Sequence, residues 1–102
     1  NNQSCVRPTY WLMVAIVPEI FGKDKEQLIE EFQEYNIDMR PFFYPISSMP
    51  PYQKYFKGNS LQKQNPISYK LSEYGICLPY GTGLIEEDIK YICDALKDIL
   101  FT

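Results

Sequence analysis

The sequence predicts an α+β fold in which helices cover a small sheet. Three observations carry the prediction. The elements follow one another as β-α-β-loop-α-β-α. An apolar run rich in β-branched and aromatic residues spans Tyr10 to Val17. Near the end of the chain Ile85, Ile89, Ile92, Cys93, Leu96, Ile99 and Leu100 recur at helical spacing. With 102 residues, the chain reads as one domain able to bury roughly 60–65% of its unfolded surface.

The run from Tyr10 to Val17, ended by Pro18, predicts a central strand buried on both faces. A helix follows from about Lys25 to Tyr35. Asp24 and Gln27 have capping-box spacing, Leu28, Ile29, Phe32 and Tyr35 share a face, and Asn36 supplies a left-handed stop. Met39 to Tyr44 reads as the second strand. Residues 53–64 are polar, with a turn at Gly58-Asn59-Ser60, and form the best candidate for a mobile segment. Asn65 is placed to cap a helix with Pro66 at its first position. That helix is expected to bury Ile67, Leu71 and Tyr74, and Gly75 sits where a C-terminal glycine belongs. Ile76-Cys77-Leu78 is a short third strand ending at Pro79. The turn Tyr80-Gly81-Thr82-Gly83 leads into the last helix, where Glu86, Glu87 and Asp88 favour the positive end of the helix dipole.

Composition narrows the function classes. The net charge is −3, and the ten basic residues form no stripe, which argues against a nucleic-acid surface. The chain has no histidine, which excludes a Ser-His-Asp triad and disfavours a metal site. Cys5, Cys77 and Cys93 form no CxxC pair and read as reduced, packed thiols of a cytoplasmic protein. The longest apolar run is far too short for a membrane span. Lys23, Lys25, Lys54, Lys57, Lys63, Lys70, Lys90 and Lys97 all fall on polar faces or in loops, so each reads as solvated. The start at Asn1-Asn2-Gln3 suggests a piece of a longer protein.

The most informative stretch is Met39 to Tyr52, where four of fourteen residues are proline and four are aromatic. Pro45, Pro50 and Pro51 lack amide donors and fix their own φ, so a stiff, largely extended path, neither strand nor helix, is expected after Tyr44. A stiff loop bearing tyrosines and serines suits ligand positioning. Residue types alone favour a surface connection whose aromatics cover the core.

The order of these residues resembles the C-terminal region of the DegT/DnrJ/EryC1/StrS family of pyridoxal-phosphate-dependent nucleotide-sugar aminotransferases, and within it the perosamine-synthase branch. The likeness runs along most of the chain. It rests on Tyr10-Trp11-Leu12, on Asn36-Ile37-Asp38-Met39-Arg40-Pro41, on Leu71 through Pro79 and on Gly83-Leu84-Ile85-Glu86-Glu87-Asp88-Ile89. Two positions depart from the pattern. Ser47 stands where many members have a histidine, and offers only a neutral donor. Ile85 stands where relatives carry a capping Thr or Ser, a loss typically worth about 1 kcal/mol.

The resemblance implies that residues 1–102 are the small C-terminal domain of a fold-type I aminotransferase, with a small, mostly antiparallel three-stranded sheet covered by helices. The cofactor and its Schiff-base lysine are then expected on a large domain outside this chain. No catalytic, cofactor-binding or metal-ligating residue is expected here, and the chain alone should be inactive. The full-length enzyme implied is a cytoplasmic homodimer with no membrane or nucleic-acid partner. It would move an amino group, usually from glutamate, to a 4-keto-6-deoxy nucleotide sugar for surface polysaccharide or O-antigen synthesis. By the same resemblance Arg40, Tyr44, Ser47, Tyr52 and Tyr55 are the candidate substrate-binding residues. A strand-edge ion pair for Arg40 and plain packing for the tyrosines stay open. So does a stand-alone β-α-β ligand-sensing or protein-interaction module.

Overall fold

The computed structural model describes residues 3–55 and 61–102. Among them three strands form one antiparallel sheet in the order β1-β3-β2: β1 (Met13–Ile16), β2 (Arg40–Pro41) and β3 (Gly75–Leu78). The helices are α1 (Lys25–Glu34), α2 (Pro50–Gln53), α3 (Leu61–Gln64), α4 (Pro66–Tyr74) and α5 (Glu86–Phe101). The α+β class and the antiparallel three-stranded sheet are those expected from the sequence.

The central strand is β3, not the run from Tyr10 to Val17. β3 pairs with β1 from Met13↔Leu78 to Ile16↔Gly75, and with β2 at Arg40↔Cys77 and Pro41↔Ile76. Only four residues of the long apolar run form a strand, and that strand is an edge. Met13 is 59% exposed and Trp11 63%. The run is apolar throughout, as expected, but it is buried only towards its end, where Ala15 packs on the core and Val17 lies in it. β2 is likewise shorter than the predicted Met39–Tyr44.

Local chemistry explains α1 well. The Gln27 N–H donates to Asp24 Oδ1 at 2.9 Å, and the Asp24 N–H donates to Gln27 Oε1 at 3.0 Å, which completes the box. At the other end Asn36 adopts φ +55°, and the Ile37 N–H reaches back to the Phe32 carbonyl at 3.1 Å. The core lies between α1, α5 and the sheet: Leu28, Phe32 and Ile76 are fully buried, with Val17, Ile37, Met39, Ile92, Ala95 and Ile99 around them. In α5 the stripe is buried at Ile92 and Ile99, whereas Ile85, Ile89 and Cys93 are exposed. Ile85 has no capping side chain; the Asp88 carboxylate instead accepts its N–H at 3.1 Å, which satisfies one backbone group at that end.

The proline run departs from the extended path. Ile46–Ser48 form a 3₁₀ turn and Pro50–Gln53 form α2. Pro50 and Pro51 occupy the first helical positions, where the missing N–H would have had no partner in any case. Two further expectations change at α4. Asn65 makes no side-chain cap, and the helix buries Ser72 while Ile67 and Leu71 stay exposed. Gly75 is the C-cap of α4, as expected, but it is extended at φ −95° and is also the first residue of β3. The turn expected at Gly58-Asn59-Ser60 lies outside the described residues.

Candidate functional site

Phe43 and Tyr44, consecutive residues shortly after β2, line different clefts. Pro45 disfavours a helical Tyr44, and an extended chain alternates its side chains between opposite sides. The cleft at Tyr44 has a volume of about 670 Å³ and lies between the start of α1, the proline run and α4. The other, of about 580 Å³, is lined by Trp11, Phe43 and Tyr80 together with Arg40.

Lys25 forms the floor of the first cleft. It is 3% exposed, which overturns its reading as a solvated lysine. Its Nζ donates to Ser72 Oγ at 3.3 Å and lies 3.8 Å from the centroid of the Tyr44 ring. Lys23 is also held: it donates to Glu31 Oε2 at 2.6 Å and to the Ile99 carbonyl at 2.8 Å, where a cation complements the C-terminal turn of α5. Lys70 pairs with Glu19 at 3.5 Å on the cleft rim. Burial first, then the charges of Glu19 and Glu73, raise the Tyr74 phenol above its ordinary value.

The five candidate residues are not brought together. Tyr44 is half-exposed and lines the first cleft. Ser47 is buried, and its hydroxyl donates to the Tyr69 hydroxyl at 3.3 Å, so it orients a residue of the cleft wall. Tyr52 and Tyr55 are exposed and line neither cleft; Lys54 Nζ lies 5.0 Å from the Tyr55 ring. Arg40 lies in the second cleft and pairs with Asp38 at 2.9 Å, both side chains being 75% exposed. A pair so exposed is worth about 0–1 kcal/mol.

What the residue types had hidden is Lys25, together with Ser48, Tyr69 and Ser72. A signal for Lys25 was present. Positions 25, 28 and 32 share one helical face, and the other two are the buried Leu28 and Phe32. The cleft as a whole is lined by the ammoniums of Lys25 and Lys70, by phenols, by the hydroxyls of Ser48 and Ser72 and by the carboxylates of Glu19, Glu26 and Glu73. Such donors and acceptors suit a polyhydroxylated ligand. Among the described residues no group of histidine, cysteine, aspartate and glutamate could hold a metal ion, and no helix is long and apolar enough to cross a membrane.

Comparison with known proteins places the chain in a family. The model of the DegT/DnrJ/EryC1/StrS aminotransferase family matches residues 2–97. The chain is similar to the GDP-perosamine synthase of Vibrio cholerae, with 31% identity over 90 residues, 88% of this chain and 23% of that protein. For the GDP-perosamine synthase of Escherichia coli O157:H7 the identity is 32% over 90 residues, 88% of this chain and 22% of the relative. For that of Caulobacter vibrioides it is 29% over 94 residues, 92% and 24%. The chain spans less than a quarter of the length of these relatives.

Proposed function

Because this chain belongs to the DegT/DnrJ/EryC1/StrS aminotransferase family, we propose that it is the small C-terminal domain of an enzyme that aminates the 4-keto carbon of a 6-deoxy nucleotide sugar. The observation that carries the reading is the similarity to GDP-perosamine synthases along 88% or more of the chain. The whole enzyme would draw its amino group from glutamate, work as a cytoplasmic homodimer and supply an aminated sugar for surface polysaccharide such as O-antigen.

Enzymes of this family use pyridoxal phosphate, which carries the amino group and acts as an electron sink. The described residues do not fit that group. A lysine that condenses with a carbonyl needs a desolvated amine that holds no other partner. Lys23 and Lys25 hold other groups, and Lys54, Lys63, Lys70, Lys90 and Lys97 are exposed. We therefore place the cofactor and its lysine on the remainder of the protein and derive no step through them here.

This domain's part is to wall the acceptor site. Tyr44 would hydrogen-bond the sugar or its phosphates, Ser47 would act by orienting Tyr69, and Tyr52 on α2 and Tyr55 just after it would reach the ligand only from outside the cleft. Arg40, in the second cleft, would anchor the start of the loop. Single-turnover measurement of the two half-reactions in the full-length protein tests the proposal. Tyr44→Phe and Tyr52→Phe should each lower acceptor kcat/KM roughly threefold to tenfold, the worth of one neutral hydrogen bond, and leave the amino-donor half-reaction unchanged. Equal losses in both half-reactions at unchanged stability would show that the loop serves the cofactor instead.

A further inference from the structure

Lys25 stands where elementary electrostatics disfavours a cation. It is the first residue of α1, at the positive end of the helix dipole. It is 3% exposed, and among the described residues no carboxylate lies within ion-pair distance of it. Burying an ammonium without an opposite charge is costly, and a methionine of similar length would fill the space without that cost. If packing alone governed the position, an apolar residue would serve better.

The ammonium touches one thing that packing cannot explain. Tyr44 follows a strand of only two residues, precedes a proline and is half-exposed. No hydrogen bond holds its side chain among the described residues. What locates the ring is the Lys25 ammonium 3.8 Å from its centroid, and a desolvated cation over a ring face is the stronger form of that contact. The same ammonium donates to Ser72 Oγ, itself 4% exposed on α4. One side chain thus ties together α1, α4 and the loop after β2.

We propose that Lys25 is a positioning residue for the acceptor cleft: its buried ammonium pins the Tyr44 ring in the cleft wall, so that the phenol meets the nucleotide sugar without having to be ordered on binding. This rests on the reading of Tyr44 as an acceptor contact. The contribution is to preorganisation, so it should fall on acceptor KM and not on the turnover of bound substrate or on the amino donor.

The test is a coupling cycle in the full-length enzyme, with Lys25→Met, Tyr44→Leu, the double variant and Lys25→Arg. Lys25→Met should raise acceptor KM about threefold to tenfold, with kcat and the donor half-reaction within about twofold of the parent. In the Tyr44→Leu background the same change should add less than about twofold, because the ring it holds is gone. Lys25→Arg should restore KM, since a guanidinium also stacks on a ring face. Lys25→Met/Ser72→Ala removes the hydroxyl that Lys25→Met strands, and repeats the cycle should the single change fail to fold. Equal effects of Lys25→Met in both backgrounds, or an equal loss in the donor half-reaction, would overturn the inference. A harmful Tyr44→Leu beside a silent Lys25→Met would remove the inference and leave the acceptor reading intact. A silent Tyr44→Leu would remove both.

Discussion

Gly75 packs so closely on Phe42 that a Cβ added to it would lie 2.6 Å from the Phe42 Cβ, and 2.7 Å from the Leu71 carbonyl oxygen. The Phe42 N–H donates to the Gly75 carbonyl at 3.0 Å, so the two backbones are held at this separation. Glycine is required here for close approach and not for a left-handed turn, because its backbone is extended. Gly75→Ala should therefore cost about 1–3 kcal/mol by overpacking, measured as a shift of the denaturant midpoint. Phe42→Ala should not rescue it, since alanine keeps the obstructing Cβ and the Leu71 carbonyl stays in place.

The Tyr35 hydroxyl donates to Asp98 Oδ2 at 2.6 Å, joining the end of α1 to the last turn of α5. This bond, with a second from the Thr102 hydroxyl, lowers the Asp98 carboxyl below its ordinary range, and it raises the Tyr35 phenol above its own. A depressed carboxylate stabilises the fold above its unfolded pKa of about 3.9 and loses that contribution as pH falls through the lower folded value. The raised phenol contributes below its unfolded pKa of about 10, and the contribution is lost as pH rises through the folded value. The stability gap between parent and Tyr35→Phe should accordingly narrow below about pH 4 and again above about pH 10, in denaturant titrations across the range. A gap constant with pH would show that the hydrogen bond has no ionic character.

The three cysteines should separate by reactivity. Cys5 and Cys93 are exposed, while Cys77 is buried in the central strand, and burial pushes its thiol upward. Iodoacetamide at neutral pH should alkylate Cys5 and Cys93 quickly and Cys77 only at the rate of local opening. Mass spectrometry of partial digests reads the order directly. Fast labelling of Cys77 would mean that β3 is not the protected centre of the sheet.

The 102-residue chain should take up no cofactor. Incubation with pyridoxal phosphate followed by borohydride should leave, at most, scattered substoichiometric label on the exposed lysines. One stoichiometric adduct on a single lysine would overturn the placement of the cofactor site outside this chain.

Much of the fold could be read from residues close together in sequence. The Asp24–Gln27 box, the left-handed Asn36, Pro66 at the start of α4 and the helical stripe of α5 were all visible, because each depends on partners three to five positions away. The family pattern was visible for a related reason: it is a linear order of such local signals. The helix Pro50–Gln53 is hidden in the sequence because prolines read as helix breakers, and at a first turn they break nothing.

What only the tertiary structure decided is which surfaces meet. An eight-residue apolar run and a three-residue one compete for the centre of a sheet, and the shorter one takes it because β3 alone has a partner on each edge. Likewise a lysine beside a helix cap looks solvated until α4 and the Tyr44 ring close over it. Capping, turns and helical periodicity act between near neighbours, so the sequence by itself determined them. Strand order, burial and the sorting of Phe43 and Tyr44 into separate clefts depend on contacts between distant residues, whose loop-closure entropy and packing are settled only when the whole chain collapses.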